Sequence, residues 1–518
     1  MNAQSTQSGH PKGLYLLFFT EMWERFSYYG MRAIFILFLT KALFLSSKDG
    51  SNIYGSFTGL VYLTPLLGGY LCDKFLGNRR SIFIGGVLMA IGQFMLFLCG
   101  NMIANDTTAA TLPPMAMTLL WGGLTVLIVG NGFFKPNIST MVGQLYEKGD
   151  RRVDSAFTIF YMGINLGAFF SPFVCGGLGD TGSIADFRWG FLAACIGMII
   201  SVISFELLKN KYLTGPQGEQ IGMPVQKLDT KNLGIVIGSF IVIFFLLSFK
   251  SLFNSDLDVI GYLIYGAMVV VPLVIITDKS LTSEEKSRIA VIFILAFFVI
   301  FFWSAFEQAG ASLTLFADAQ TDRNIGGWTM PASWFQSVNP LGIIILAPIF
   351  SYFWGMLHKK NLEPASPMKM AWGLALLCLG YIVIAMAVKG VDSSVKISMW
   401  WLIALYLLHT MGELCLSPIG LSMVSKLAPL RFSSLLMGTW FLANAAANKL
   451  AGTLSALIPP TAEDIAKAGG TAKYPDLLGF QITNLYEFFM VFIVMSGTAA
   501  IILFLLSGVL RKMMRGIK

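Results

Sequence analysis

The chain has 518 residues, 55% of them hydrophobic and 12% charged, with a formal net charge of +8 and a mean hydropathy of +0.70. That balance excludes a soluble globular domain; it also excludes a barrel, because the apolar runs do not alternate and are about twice the ~10 residues of a barrel strand. The positive charge does not point to nucleic acid, since the basic residues lie in short loops between apolar runs, where they set membrane topology.

A bilayer core about 30 Å thick needs roughly 20 apolar residues per helix. At that length fourteen spans are predicted, beginning near Leu14, Tyr54, Ile82, Met115, Ala156, Trp189, Leu233, Val259, Ile289, Ala332, Met368, Ile397, Ser434 and Leu485. The expected class is therefore an all-α polytopic membrane protein. The polar first dozen residues lead into a long, charged span unlike a cleavable signal, so that span should remain as the first helix. Placing the N-terminus in the cytoplasm puts 23 of the 36 Lys and Arg on the side of the termini and 9 on the other, with Arg25, Arg32, Lys135 and Lys449 inside spans. Both termini are thus expected in the cytoplasm, with the chain in the cell inner membrane.

Polar interruptions fall at 209–231, 317–331 and 459–483. The first, together with a short cytoplasmic segment at 278–288, brackets a hairpin at 233–276 whose helix interiors carry no charge; it reads as a lipid-facing insertion. The expected domains are a six-helix bundle at 1–210, linkers and the inserted hairpin at 211–288, and a second six-helix bundle at 289–518. Six plus six spans is the plan of a transporter built from two related halves. Gly or Pro interrupts several spans, at GNGFFKPN (130–137), SPFVCGG (171–177), VNPLG (338–342) and LSPIG (416–420), where bending is expected. The six cysteines, Cys72, Cys99, Cys175, Cys195, Cys378 and Cys415, lie within or beside apolar segments without CxxC spacing and read as small buried hydrophobes.

The charges inside the spans carry the functional signal. Leaving aside Lys449, the deep set is Glu21, Glu24, Arg25, Arg32, Lys135, Glu307 and Glu413. Each central charge costs about 2.5 to 3.5 kcal/mol on insertion scales, so the set left unpaired costs roughly 20 kcal/mol, above the ~5 to 15 kcal/mol stability of a whole domain. These groups must pair, take up a proton or face water, and a polar internal cavity is expected. On the first helix Glu21, Arg25, Tyr28 and Arg32 repeat at i, i+4, i+7 and i+11 with Glu24 and Tyr29 beside them, a continuous polar stripe. Four carboxylates against three cations leave room for one proton, although Lys449 would also balance the count. A carboxylate that gains or loses a cationic neighbour as helices move loads or releases a proton, which is a physical basis for proton coupling. No additional Asp or hydroxyl cluster beside an unwound segment points to sodium.

The stretch EMWERFSYYG at 21–30 resembles the ExxERFxYYG signature of the proton-dependent oligopeptide transporters, bacterial type, in the major facilitator superfamily. Further matches follow in order: VYLTPLLGGYLCDKFLG (61–77), GNGFFKPNIS (130–139), FYMGINLGAF (160–169), WSAFEQAG (303–310) and GELCLSPIGLSMVSKLAP (412–429). The resemblance implies two six-helix bundles around a central cavity, working by alternating access. It also implies roles: Glu21, Glu24, Arg25, Lys135 and Glu307 in proton coupling, and Arg32 with Lys135 at the peptide carboxylate, near Tyr28, Tyr29 and Tyr62. By the same resemblance Glu413 attracts the peptide ammonium with Asn165 and Asn339 nearby, and Trp303 and Trp440 line side-chain pockets.

Several positions depart from the family pattern. Gly55 stands where animal members carry a histidine, Phe306 precedes Glu307 where some bacterial relatives have a second acid, and the Asp73-to-Gly77 spacing is one residue longer than the usual superfamily loop motif. His409, one turn before Glu413, reads as a packing histidine. The expected function is proton-coupled symport of di- and tripeptides into the cytoplasm across the inner membrane, with protons as the coupling ion and no cofactor. The alternative is the same fold and coupling with another small substrate, such as nitrate, other anions or amino-acid derivatives. Expected partners are the peptides and membrane lipid, with no nucleic acid. An enzyme would need a catalytic cluster, which His10, His358 and His409 do not form, and a channel would need repeated pore rings.

Overall fold

A computed structural model of the chain describes residues 9–147, 149–224, 230–253, 255, 257–461, 464–465 and 473–514. Long helices follow one another: α1 (Lys12–Leu37), α2 (Ser47–Leu71), α3 (Gly77–Asn101), α4 (Pro114–Gln144), α5 (Arg152–Ser171), α6 (Phe187–Tyr212) and α7 (Thr230–Phe253). They continue as α8 (Val259–Ile276), α9 (Ser283–Phe306), α10 (Val338–Lys359), α11 (Ser366–Val388), α12 (Met399–Leu427), α13 (Ser433–Ser455) and α14 (Leu485–Met513). Among the described residues the strands are confined to two-residue ladders in loops, such as Thr321–Asp322 beside Ile397–Ser398. The protein is an all-α, multi-pass membrane protein.

Among the described residues, 11 helical segments are long and apolar enough to cross a membrane, against the fourteen spans expected. One of them, Ser47–Asn101, contains two of the expected spans. The first is missing from the eleven because every stretch of α1 long enough to cross carries several charges, and the thirteenth, α13, carries Asn444, Asn448 and Lys449. The chain ends, expected in the cytoplasm, lie outside the described residues at 1–8 and 515–518.

The expected breaks resolve differently. At 130–137 and 416–420 the backbone continues as helix, while 172–176 forms a π turn and 338–342 is the first turn of α10. A second π turn, Cys72–Leu76, joins α2 to α3. A π turn holds one residue more than an α turn, which accommodates the longer Asp73-to-Gly77 spacing, and the turn ends at Gly77 with φ +69°.

The chain forms two compact units: residues 1–32, 64–107 and 111–248, and residues 33–63, 108–110 and 249–518. In the first, α3 and α4 touch backbone to backbone. A Cβ added to Gly85 would lie 2.6 Å from the Gly130 carbonyl, and one added to Gly92 would lie 2.9 Å from that of Gly123. Small residues at a crossing are how membrane helices gain close packing without a hydrophobic driving force between them. Gly167 of α5 and Gly197 of α6 similarly admit Arg25 and Phe26 of α1. Buried Arg79, at the start of α3, fastens the last turn of α6 and the chain after it: Nε donates to Ile221 O at 2.7 Å, Nη1 to Asn210 Oδ1 at 3.0 Å, and Nη2 to Leu213 O. Its backbone N–H donates to Gly222 O at 3.0 Å.

In the second unit α9 begins with a capping box between Thr282 and Glu285. Tyr381 of α11 donates to Ala305 O at 2.6 Å and stacks on Phe492 of α14 with ring centroids 4.7 Å apart. Gly373 brings α11 against α12, since a Cβ there would lie 2.8 Å from Gly412 O. The end of α1 and the first half of α2 belong to this unit; the π turn after α1 is tied by Lys41 to Asp318 at 2.6 Å.

Candidate functional site

The polar stripe of α1 is buried rather than open. Glu21, Glu24, Arg25, Tyr28 and Arg32 are all buried, and Glu24 is 0% exposed. Their cost is met by pairing: Arg25 Nε lies 2.9 Å from Glu21 Oε1 and 2.6 Å from Glu24 Oε2, so two carboxylates contest one guanidinium nitrogen. Lys135 of α4, half-buried, adds its charge to the field at Glu24. Breaking a buried pair by removing one partner leaves a bare charge and is strongly unfavourable, so a change at any one member is transmitted to the other two.

Further along α1 the phenols sit between cations. Arg25 lies over the Tyr28 ring at 5.8 Å and Arg32 over Tyr29 at 5.7 Å, while the two rings meet edge-on at 5.4 Å. Along α1 the acids come first, then the aromatic rings, then Arg32. Asn165 of α5 is buried with its Nδ2 donating to Tyr161 O at 2.9 Å, so its amide is oriented by its own helix.

In the second unit Asn339 of α10 donates to Glu413 Oε2 of α12 at 2.8 Å and to Thr410 Oγ1 at 3.0 Å. Glu307 is buried at the first position of the turn Glu307–Gly310 that ends α9, and its charge bears on Glu413. Trp303 packs edge-on against Phe302 and Phe306 with centroids 5.3 and 5.1 Å away. Trp440 of α13 is buried and rests on Gly420, where an added Cβ would run into its ring. Tyr62 is half-buried on α2 and belongs to this second unit, not to the unit of Tyr28 and Tyr29. His409 is buried with its ring 4.9 Å from Tyr381 and tight against Gly380, a packing position.

The part played by Thr410 and the partner of Lys449 had no sequence expectation. Thr410 shares the Asn339 amide with Glu413, a link that its i−3 spacing from Glu413 on one helix face signals. Lys449 is 1% exposed and pairs with Asp258 Oδ1 at 2.9 Å. Its charge is therefore matched outside the deep set, so the four carboxylates and three cations of that set are not balanced by Lys449.

Residues 79–470 match the family model described as PTR2, the POT family. The chain is 37% identical over 469 residues to a protein of Yersinia enterocolitica named peptide transporter YePEPT, covering 86% of this chain and 88% of that one. It is 36% identical over 520 residues to YclF of Bacillus subtilis, an uncharacterized transporter, covering 98% and 96%. Among solved structures, a mutant form of a peptide transporter POT in complex with alafosfalin is similar with a TM-score of 0.80 at 32% identity, covering 99% of this chain and 97% of that one.

Proposed function

The chain belongs to the POT family and is a transporter, not an enzyme; from that premise we propose that it is a proton-coupled symporter carrying di- and tripeptides into the cytoplasm by alternating access. The observation that carries the coupling is the Arg25 nitrogen shared by Glu21 and Glu24. With both acids ionised, Arg25 and Lys135 neutralise them. A proton on one acid leaves Arg25 with the other and frees Lys135 to join Arg32 at the peptide carboxylate. Release of the proton on the inner side draws Lys135 back to the pair and expels the carboxylate.

The other end of a zwitterionic peptide is met by Glu413. Asn339 occupies Oε2 and fixes the plane of the carboxylate, leaving Oε1 for the ammonium, with Asn165 nearby. Tyr28, Tyr29 and Tyr62 border the backbone, and Trp303 and Trp440 border the side chains. Grip on the backbone termini leaves side chains loosely specified, which supports a broad peptide range. Glu307 serves as a second protonatable group. We assign bundles to 1–210 and 289–518 with the insertion at 211–288, and place the protein in the cytoplasmic membrane with both ends inside. Protons are the coupling ion and no cofactor takes part. The same fold moving a bare anion is disfavoured by Glu413, which would repel it.

The test is dipeptide uptake into proteoliposomes holding the purified full chain. An imposed inward proton gradient should drive accumulation above the external concentration; accumulation indifferent to the gradient would remove proton symport from this reading.

A further inference from the structure

The second inserted helix, α8, is not merely laid against lipid. Its first residue is preceded by Asp258, whose Oδ1 accepts from Gly261 N at 3.0 Å to cap the helix and also takes Lys449 Nζ at 2.9 Å. Lys449, buried in α13, donates to Ser56 Oγ of α2 at 2.9 Å. One ammonium thus ties together three helices: α13 that carries it, α8 through a carboxylate, and α2 through a hydroxyl. Neither the proton site nor the peptide site uses these three residues.

The contact around the cluster is shaped to close and to part. A Cβ added to Gly55 would lie 2.6 Å from the Cα of Gly452, so α2 and α13 meet backbone to backbone. A turn earlier on α2, the hydroxyls of Ser51 and Ser455 meet at 2.8 Å. A turn later, a Cβ on Gly59 would lie 3.3 Å from both Ile264 of α8 and the Lys449 side chain. Beside the cluster Lys250 reaches Asp49 at the start of α2 at 2.7 Å. Between α2 and α13 the seam is held by hydroxyls and glycines, which separate without stranding a charge, and the neighbouring Lys250–Asp49 pair is solvated. The α8 side is held by an ion pair, which does not separate cheaply in an apolar setting.

We propose that α8 is a latch plate for the outer end of the transporter: the Lys449–Asp258 pair fixes α8 to α13 permanently, and Ser56 is the releasable third partner that holds α2 down when the outer end is shut. The loops bearing Lys41, Lys48 and Lys250 mark this end as the outer one by the distribution of basic residues. The proposal rests on the alternating-access reading, since only in that cycle must the first half of α2 leave α13. Asp258 presents Lys449 to Ser56 at a set position; without it the ammonium has no counter-charge and the seam opens around water.

The measurement is alkylation of a reporter cysteine, Ser51→Cys, by a membrane-impermeant maleimide in proteoliposomes, read at that residue by mass spectrometry, with neither peptide nor proton gradient. Ser56→Ala and Asp258→Asn, each in the reporter background, should raise the labelling rate by roughly tenfold, the size of one charge-assisted hydrogen bond. Tyr262→Phe, on the exposed face of α8, should leave it unchanged. Ser56→Ala keeps the ion pair and reports even where Asp258→Asn reduces folded yield. Equal labelling in Ser56→Ala and the parent overturns the latch, as does an equal rise in Tyr262→Phe. Because labelling needs no transport, loss of gradient-driven uptake in the parent would refute symport without touching this result, and the converse holds.

Discussion

Asn339 and Glu413, on α10 and α12, are joined by a 2.8 Å hydrogen bond to Oε2, so the acid assigned to the peptide ammonium is oriented by an amide and not by a fixed cation. A neutral orienting group holds the carboxylate without cancelling the charge that a substrate is to meet. Removing the charge should therefore discriminate between substrates. Glu413→Gln is expected to weaken transport of peptides with a free amino terminus at least tenfold more than that of N-acetylated peptides, a difference of about 1.4 kcal/mol. Competition assays with matched pairs of peptides check it, and equal losses contradict the ammonium contact.

Neutralising one of the two acids on α1 should separate exchange from accumulation. Glu21→Gln and Glu24→Gln each leave Arg25 with a single carboxylate, so counterflow of labelled peptide should persist while uptake driven by a proton gradient falls to background. Persistence of both activities would move the proton to another group.

Replacing the shared cation has a different outcome. Arg25→Met leaves Glu21 and Glu24 buried without the nitrogen they contest, and a broken buried pair of this kind costs about 3–5 kcal/mol. A fall in Tm in detergent, partly recovered in the Arg25→Met, Glu24→Gln double variant, is expected. No change in Tm would mean that other groups neutralise the acids.

Between α10 and α11 the carboxyl of Glu363 is held below its ordinary value of 4.5, first by the hydrogen bond from Lys369 and, among the remaining causes, by His358, 2.7 Å away. A depressed folded value means stability that is present above the unfolded value and lost as the pH falls through the folded one. The pair is partly solvated, so the effect is small. Tm values of the parent and of Glu363→Gln should differ at neutral pH and converge in acid; a gap that widens in acid would reverse the sign.

The class of the protein, its long helices and the charged face of α1 were legible in the sequence, because apolar run length and i, i+4 spacing act locally. The pairing of Arg25 with Glu21 follows from that spacing. Its contact with Glu24 does not, since adjacent residues on a helix point apart, and only the reach of the arginine brings them together. Glycine and proline marked breaks at only some of the expected places: the helix runs through 130–137 and 416–420, while 172–176 forms a π turn and 338–342 starts a helix. The partner of Lys449 was out of reach altogether. Asp258 reads as an ordinary turn residue, and its use as a counter-charge depends on two remote segments folding side by side.

The four hydrogen bonds from Arg79 give the first unit a strain relief. Tension on the polypeptide downstream of Gly222 is taken up at the start of α3, which Arg79 also ties to Asn210 in the last turn of α6. A cable clamped where it enters a housing behaves in the same way. Lengthening the chain downstream of Gly222, or attaching a fluorophore to it there, should leave α3 and the body of α6 unloaded.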